Sequence, residues 1–272
     1  MSAVAGAWRF VRRRLFRSPL RDVLEYVLLL VVVFVLVSIS SQRLGYYWQW
    51  YRVPRYLFTL QQGRPVAGEL IQGLLYTFRI AAVSLVLSLV FAFCTALLRL
   101  SQSLMGTALA RVYLEVIRNT PLVVQIYLLY FVIGPILGLG RFASAVVALS
   151  LFEGSYMSEI LRAGIVSLHR GQWEAAHSLG LSTLDTYRDV ILPQAVRRIL
   201  PPLTGEVVSL VKNTSLVSLV ALNDLSMQAR VVSADTFLTF EIWFTTALIY
   251  LAILVPMSLL VRWIEHRVAI PS

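Results

Sequence analysis

Charged residues are scarce in this sequence. Only 14% of its 272 residues are charged and 58% are hydrophobic, whereas soluble domains are typically about 25% charged and about 45–50% apolar. A helix needs about 20 apolar residues to cross the hydrocarbon core of a bilayer, so several spans fit in this length. The composition excludes an ordinary soluble domain and predicts an all-α polytopic membrane protein, because helices satisfy their own backbone groups in lipid.

Reactive side chains are also few. Cys94 is the only cysteine and lies in an apolar run, so it supports neither a disulfide nor a thiolate metal site. No G-x-x-x-x-G-K-S/T loop for nucleotide phosphates occurs, and no H-E-x-x-H or G-x-S-x-G arrangement accompanies Glu153, Glu159 and His169, the acid and base groups that an intramembrane enzyme would need. The three histidines share no metal-ligand spacing: His169, His177 and His266. We therefore expect no catalytic residue, no metal and no cofactor, ATP included, on this chain.

Positive charge is concentrated near the two ends of the chain. The formal net charge is +10, but no aromatic or motif context for nucleic-acid binding accompanies the terminal arginines, so no nucleic-acid partner is expected. Arginine and lysine beside membrane spans stay on the cytoplasmic side. Both termini are therefore predicted to be cytoplasmic, with an even number of spans. The arginines that carry this prediction are Arg9, Arg12, Arg13, Arg14, Arg17 and Arg21 before the first apolar run, and Arg262 and Arg267 after the last.

The apolar runs predict six transmembrane helices, at residues 23–41, 74–98, 113–139, 142–168, 202–222 and 242–264. The first follows a basic leader like that of a signal peptide, but its apolar stretch is too long for one, which favours an uncleaved anchor. Pro121 and Pro135 should kink or break the third span, because proline lacks a backbone donor. Residues 42–69 are rich in tyrosine and tryptophan, which prefer the headgroup level, so this loop should lie along the outer membrane face.

Residues 169–200 are too polar to span and form the largest predicted cytoplasmic loop. A short helix should begin near Trp173 and stop at Gly180, a residue typical of helix C-termini. A second helix should begin at Ser182, since Ser182 to Asp185 match a capping box, and Pro193 should end or kink it. The helical pattern leaves two interpretations open: a docking surface for another protein, or a loop packed back on its own bundle.

The residues of this loop resemble the EAA signature of ATP-binding-cassette (ABC) importer permeases. Glu174, Ala175, Ala176 and Gly180 stand at its start, and Val190, Ile191, Leu192 and Pro193 at its end, with Val190 where isoleucine is usual. The resemblance implies a coupling helix seated in a groove of a cytoplasmic ATPase subunit, with ATP held by that partner. The small residues would let the partner approach closely.

Two further segments resemble the polar amino-acid branch of these bacterial type I importers. One matches R-G-T-P-x-x-x-Q except at Asn119, and the other matches K-D-T-S-L-V except at Asn213. The first comprises Arg118, Asn119, Thr120, Pro121 and Gln125, and the second Lys212, Asn213, Thr214, Ser215, Leu216 and Val217.

This resemblance implies a permease core of five spans within residues 69–267, which makes the first span, within residues 1–68, an extra N-terminal helix. It also implies the bacterial cytoplasmic (inner) membrane and a polar amino acid as cargo. The implied partners are two ATPase subunits, an external or periplasmic solute-binding protein, and a second permease chain that is identical or similar to this one.

Ionisable residues inside the predicted spans are candidates for the substrate pathway, because placing a charge in lipid is costly. Glu159 and Arg162 are three residues apart on one helical face, which favours a local ion pair. Glu153 and Lys212 have no opposite charge at such spacing in their own helices. The remaining members of this set are Arg79 and Glu206, while Arg118 is assigned to orientation or a helix interface.

An amino acid presents an ammonium group and a carboxylate. Glu153 could meet the ammonium, and the segment from Lys212 to Ser215 could meet the carboxylate with a cation or a half-helix N-terminus. The alternative is that both groups bind neighbouring helices or subunits. An ion-driven secondary carrier would show two similar halves, and the sequence has no convincing repeat.

Overall fold

The structure is a computed structural model that describes residues 27, 28, 31, 32, 35, 45–61, 63–101 and 103–268. The chain forms two compact units, residues 1–48 and residues 49–272. In the first unit the described positions of the predicted first span, from Val27 to Val35, are helical. The leader arginines and the rest of that span lie outside the described residues.

The second unit begins with a short structured segment in place of the predicted loop. A 3-10 turn at Trp50–Arg52 leads into α1 (Pro54–Leu57) and an antiparallel hairpin of β1 (Phe58–Gln61) and β2 (Arg64–Ala67). Gly63 has a φ of +75° in the connecting turn, a conformation that glycine adopts without strain. The buried Tyr56 ring belongs to an apolar cluster with Leu70 and Leu238, which joins this segment to the helices that follow. The purely helical expectation did not include this hairpin.

Helices make up the rest of the second unit. They are α2 (Glu69–Leu100), α3 (Leu104–Arg118), α4 (Leu122–Tyr127), α5 (Gly134–Leu137), α6 (Arg141–Val166), α7 (Arg170–Ser178), α8 (Thr183–Asp185), α9 (Leu192–Asn213), α10 (Leu225–Thr236) and α11 (Thr239–Val268). Two π-helical segments, Leu128–Ile133 and Thr186–Ile191, precede α5 and α9, and a 3-10 helix, Thr214–Val220, follows α9.

Two of the described helices are long and apolar enough to cross a membrane unaided, Glu69–Leu100 and Thr239–Arg267. They confirm a helical membrane protein and correspond to the second and sixth predicted spans. Up to four spans result if each of two bent helix pairs counts as one, α3 with the stretch Leu122–Leu137 and Thr183–Val220 with α10. Helix α6 has 26 residues but carries four charged ones, two arginines and two glutamates. The count of six stays a prediction.

The third predicted span is broken at Pro121, as the sequence predicted, but its predicted start is wrong. Helix α3 begins at Leu104, well before Tyr113, and the chain bends by 104° before it continues from Leu122. The break coincides with Pro121, which cannot donate the backbone hydrogen bond that a continuous helix needs. The second proline, Pro135, leaves the chain helical to Leu137.

The fifth predicted span and its boundary with the polar loop are also wrong. Helix α9 begins at Leu192, ten residues before the predicted start, and contains both Pro201 and Pro202. Pro193 therefore neither ends the helical path nor separates the loop from the span. Before Pro193 and before Pro135 the backbone takes a π-helical turn, in which Leu192 and Gly134 donate to the carbonyls of Tyr187 and Leu129 five residues back. This wider turn changes the carbonyl spacing that a proline ring would otherwise meet.

Helices α2 and α6 share the most extensive interface among the described helices. Their contact is lined by small residues: a Cβ on Gly154 would lie 2.8 Å from the Cβ of Phe91, and Ser84 and Ser88 are buried on the facing side of α2. Small residues allow close helix contact where lipid offers no hydrophobic drive to association. The opposite side of α2, with Val86 and Leu97, is exposed and suited to lipid.

Candidate functional site

The segment from Arg118 to Gln125 forms the 104° corner between α3 and α4. Gln125 is 6% exposed, and its Nε2 donates to the carbonyl oxygen of Ile117 at 2.7 Å and to that of Thr120 at 3.0 Å. The same nitrogen donates to the Thr120 hydroxyl at 2.9 Å, while that hydroxyl donates to the carbonyl of Val116. The break leaves backbone carbonyls without the donors that a continuous helix would supply, and the Gln125 amide donates hydrogen bonds to two of them. The motif therefore has a structural role at this corner.

Arg118 and Asn119 lie on the outer side of the corner. The Arg118 guanidinium lies 4.9 Å from the centroid of the Tyr156 ring, which places it at the interface of α3 with α6. This position agrees with the helix-interface role expected for Arg118. The Asn119 side chain donates to the carboxylate of Glu115 at 2.9 Å and to its backbone carbonyl at 2.8 Å, so it caps the end of α3.

Glu153 lies inside the bundle and contacts the second family-like segment. The residue is only 1% exposed. Its Oε1 accepts a hydrogen bond of 2.8 Å from Nδ2 of Asn213 on α9. The Glu206 carboxyl lies near enough to interact with Glu153, and the Lys212 charge acts on both carboxyls. Two helices far apart in sequence therefore bring two carboxyls, an amide and an ammonium group together. We call Glu153, Glu206, Lys212 and Asn213 the central polar cluster.

Thr214 and Ser215 are placed differently from Lys212. The Thr214 hydroxyl is buried and donates to the carbonyl of Val211, and that of Ser215 donates to the carbonyl of Lys212. Because α9 runs directly into the 3-10 helix, no helix N-terminus opens at this segment of the described chain. The Lys212 ammonium, and not a half-helix N-terminus, is the group here that suits a carboxylate.

Glu159 is held by two arginines. Its carboxylate forms ion pairs with Arg162 on the same helix and with Arg99 at the end of α2. The predicted pair of Glu159 with Arg162 is confirmed. Sequence reasoning missed Arg99, because nothing in the spacing along the chain shows that α2 ends beside the last turns of α6. Glu159 is thus separate from the central polar cluster.

The polar loop contains the two predicted caps. Gly180 has a φ of +74°, its N–H donates to the carbonyl of His177, and the N–H of Leu181 donates to that of Ala176. This pair of bonds is the Schellman arrangement at a helix end. At the start of α8, the Ser182 hydroxyl accepts from the backbone N–H of Asp185 at 3.2 Å. The loop is therefore a helix, a turn and a second helical segment, as its sequence predicted.

One side of the loop packs on the bundle and the other side is exposed. Trp173 and Tyr187 meet edge to face, with ring centroids 4.9 Å apart, and both contact an apolar cluster that includes Leu168. Ala176 belongs to the packed side, since it is only 2% exposed. The small side chain of Ala176 therefore permits close packing on the inner side of the loop and does not form part of its exposed surface. The interpretation of a loop packed back on its own bundle is therefore confirmed for the packed side, and docking on another protein stays a prediction for the exposed side.

The exposed side offers apolar residues that sequence reasoning missed. Leu179 is 80% exposed and Leu184 is 76% exposed, on either side of the turn at Gly180. Glu174 and Ala175 are exposed beside them, and Glu174 forms a solvent-accessible ion pair with Arg170. A leucine on each side of a helix cap in a polar loop is the sequence signal that could have identified them. The two EAA-like residues at the far end, Leu192 and Pro193, are both exposed and are the first two residues of α9.

No group of three or more histidine, cysteine, aspartate and glutamate side chains that could hold a metal occurs among the described residues.

Comparisons with known proteins support the resemblance to importer permeases that the sequence motifs indicate. Residues 88–270 match the family described as binding-protein-dependent transport system inner membrane component. The glutamine transport system permease protein GlnP of Escherichia coli (strain K12) is 36% identical over 209 residues, which are 76% of this chain and 95% of that protein. The L-cystine transport system permease protein TcyB of Bacillus subtilis (strain 168) is 38% identical over 72% of this chain and 84% of its own length.

A solved structure is similar in fold and sequence. The crystal structure of an amino acid ABC transporter with histidines has a TM-score of 0.69 to this chain at 34% identity. The likeness covers 73% of this chain and 94% of that one. A quarter to a third of the present chain therefore lies outside each of these matches.

Replacing Gln125 with leucine should weaken the corner between α3 and α4. The change removes the donor to the Ile117 and Thr120 carbonyls, and each buried polar group left unpaired costs roughly 1–3 kcal/mol. We expect a lower midpoint of thermal unfolding for the purified protein in detergent, followed by tryptophan fluorescence. Asn119→Ala is the matched control, because its bonds lie at the exposed outer side of the same corner. Equal midpoints for Gln125→Leu and the wild type would contradict the role assigned to Gln125.

Proposed function

We propose a specific cargo and mechanism for this chain, which belongs to the family of binding-protein-dependent transport system inner membrane components. The chain is a multi-pass inner-membrane subunit of an ATP-driven importer, and we propose that it translocates a polar amino acid. The observation that carries the proposal is the central polar cluster, where Glu153 is buried in an apolar bundle and the exposed Lys212 lies near enough for its charge to act on Glu153.

The chemistry of this cluster suits a zwitterion. A carboxylate such as that of Glu153 or Glu206 can accept hydrogen bonds from the ammonium group of an amino acid, and Lys212 can donate to its carboxylate. Asn213 already donates to Glu153 at 2.8 Å and so holds that carboxylate in a fixed orientation. The relatives named above are glutamine and cystine permeases, and we propose glutamine as the first cargo to test. Glu159 is assigned a structural role, because its carboxylate already forms ion pairs with two arginines.

The proposed membrane topology has six spans with both termini in the cytoplasm. Five of them form the core within residues 69–267, and the helix within residues 1–68 is added before it. Positive charge at the ends supports this orientation. It places the C-terminal end of α2 and the polar loop on the cytoplasmic side, and the hairpin of β1 and β2 outside.

The polar loop is the proposed contact with the ATPase. Its exposed surface combines Glu174, Ala175 and Gly180 with the apolar Leu179 and Leu184, a composition suited to a groove on another protein. Two ATPase subunits would bind and hydrolyse ATP, and their closure would move the loop. A second permease chain and an external solute-binding protein complete the proposed assembly, in which this chain binds neither ATP nor a metal.

Reconstitution tests the proposed function. The permease, the ATPase and the solute-binding protein encoded with it are placed in liposomes that contain ATP, and uptake of radiolabelled L-glutamine, L-cystine and L-histidine is measured. We expect uptake of at least one of them that requires ATP and the ATPase. Uptake by the permease alone, driven by an ion gradient, would show a secondary carrier instead. ATP-dependent uptake of a solute that is not an amino acid would overturn the cargo while leaving the family intact.

Glu153→Gln should impair substrate binding within the membrane. The variant keeps the shape of the side chain and removes the charge that faces the substrate ammonium, and a hydrogen bond to a charged group is worth about 1.5–3 kcal/mol. We expect KM for uptake to rise roughly 10- to 100-fold. Glu265→Gln, the same change at the exposed end of α11, is the control. An assembled Glu153→Gln complex with unchanged KM and uptake would exclude Glu153 from the substrate site.

Leu184→Asp should prevent the ATPase from binding. The side chain is 76% exposed, so the change should not disturb folding, and burying a leucine in an interface is worth about 1.5–3 kcal/mol. We expect affinity for the ATPase, measured by co-purification and titration in detergent, to fall roughly 10- to 100-fold. Leu184→Met keeps the apolar surface and should bind normally. Undiminished binding by Leu184→Asp and by the double variant with Leu179→Asp would place the interface elsewhere.

A further inference from the structure

A cavity lies apart from the central polar cluster. It has a volume of about 640 Å³, is partly open, and is lined by the last turn of α2, one face of α3 and α6. This size is within the range of small-molecule sites, roughly 300–1,000 Å³. The charged and aromatic side chains around it are Arg99, Arg111, Glu115, Arg118, Tyr156 and Glu159. In the proposed orientation the cavity is on the cytoplasmic side of Glu153.

The charges around the cavity are of both signs, and only some of them are satisfied. Arg99 and Glu159 form an ion pair at one end. Arg111 and Arg118, by contrast, make no ion pair with any carboxylate in the part of the chain that the structure describes. Both are exposed, as is Glu115 between them. The cavity therefore presents two available guanidinium groups and an accessible carboxylate.

Helix geometry places these three groups on one face. Arg111, Glu115 and Arg118 are spaced by four and three residues, so their side chains project from the same side of α3. The Arg118 guanidinium lies 4.9 Å from the centroid of the Tyr156 ring, a contact that favours this position of the side chain beside the cavity. Glu115 is steadied by the hydrogen bond from Asn119. A guanidinium group can bind a carboxylate through two parallel hydrogen bonds.

The combination selects the chemistry of the ligand. A phosphate would pair with the arginines but leave Glu115 without a partner, and a simple cation would be repelled by the arginines, whereas a free amino acid carries both charges a few ångströms apart. We propose that this cavity is a release site that binds the transported amino acid from the cytoplasmic side, its carboxylate on Arg111 or Arg118 and its ammonium group on Glu115. The proposal rests on the proposed import function and on the orientation given there.

Internal amino acid provides the test. The complete complex is reconstituted, and import of radiolabelled L-glutamine, or of another amino acid that the complex imports, is measured into vesicles with increasing internal concentrations of the unlabelled compound. We expect internal amino acid to slow import. Glu115→Gln and Arg111→Gln should each raise the internal concentration that halves import about tenfold, since each removes one charge-assisted interaction. Glu265→Gln, an equal change of charge at the end of α11, should leave that concentration at the wild-type value.

The comparison within each variant separates binding from folding. Import into loaded vesicles is divided by import into empty ones, so a general loss of active complex does not change the ratio. Half-inhibiting concentrations equal to wild type in both variants would overturn the release site, as would wild-type import that internal amino acid does not slow. Equal inhibition by internal inorganic phosphate would show a general anion site instead. A wild-type complex that imports no amino acid would overturn the proposed function itself, before any variant is compared.

Discussion

Backbone hydrogen bonding is the constraint on which the rest of this structure depends. In an apolar bundle a carbonyl freed by a helix break has no water to bond, so every interruption needs its own donor or a changed helical register. At the corner after α3 the donor is the Gln125 amide, which reaches back to Ile117 and Thr120. At Pro135 and Pro193 the solution is a π-helical turn just before the proline. The last of these places lies at the start of α9, the helix that carries Glu206, Lys212 and Asn213.

The same constraint explains what the sequence could and could not predict. Long apolar runs identified α2 and α11, because hydropathy and length suffice for a helix that crosses lipid unbroken. Gly180 and Ser182 identified the ends of the helices in the polar loop, since capping is local chemistry. The effect of each proline on helix continuity was harder to predict. Pro121 breaks the chain while Pro193 does not, and the difference lies in backbone registers and in a glutamine several residues away, neither of which a proline alone indicates.

Sequence spacing predicted contacts within a helix and missed contacts between helices. The pair of Glu159 with Arg162 follows from a separation of three residues and is present. Its second partner, Arg99, is 60 residues away. Glu153 was singled out because it lacked a local partner, and its contact with Asn213 also spans 60 residues. An ionisable residue in a span without a local partner is thus a useful signal, but the identity of its partner depends on how α6 and α9 pack.

Ala176 shows the converse. Alanine at this position matches the family signature, but only its burial in the structure shows that it lies on the packed side of the loop.

Helices α6 and α9 connect the polar loop to the polar groups in the bundle. Only three residues, Ser167 to His169, separate the end of α6 from α7, and the Arg198 guanidinium of α9 donates to the carbonyl of Ser167 at 2.7 Å. A displacement of the loop therefore acts on both helices at once. Glu153 lies on α6 and Asn213 on α9, so both sides of their 2.8 Å contact belong to helices that a displacement of the loop would move. Tyr156 and Glu159 lie on the same α6, so the cytoplasmic cavity that they line would change in the same movement. Close packing of Gly164 on Ile199, where an added Cβ would lie 2.2 Å from a side-chain carbon, leaves the two helices little room to slide independently. Motion of the loop is thus expected to alter the central polar cluster and the cytoplasmic cavity together.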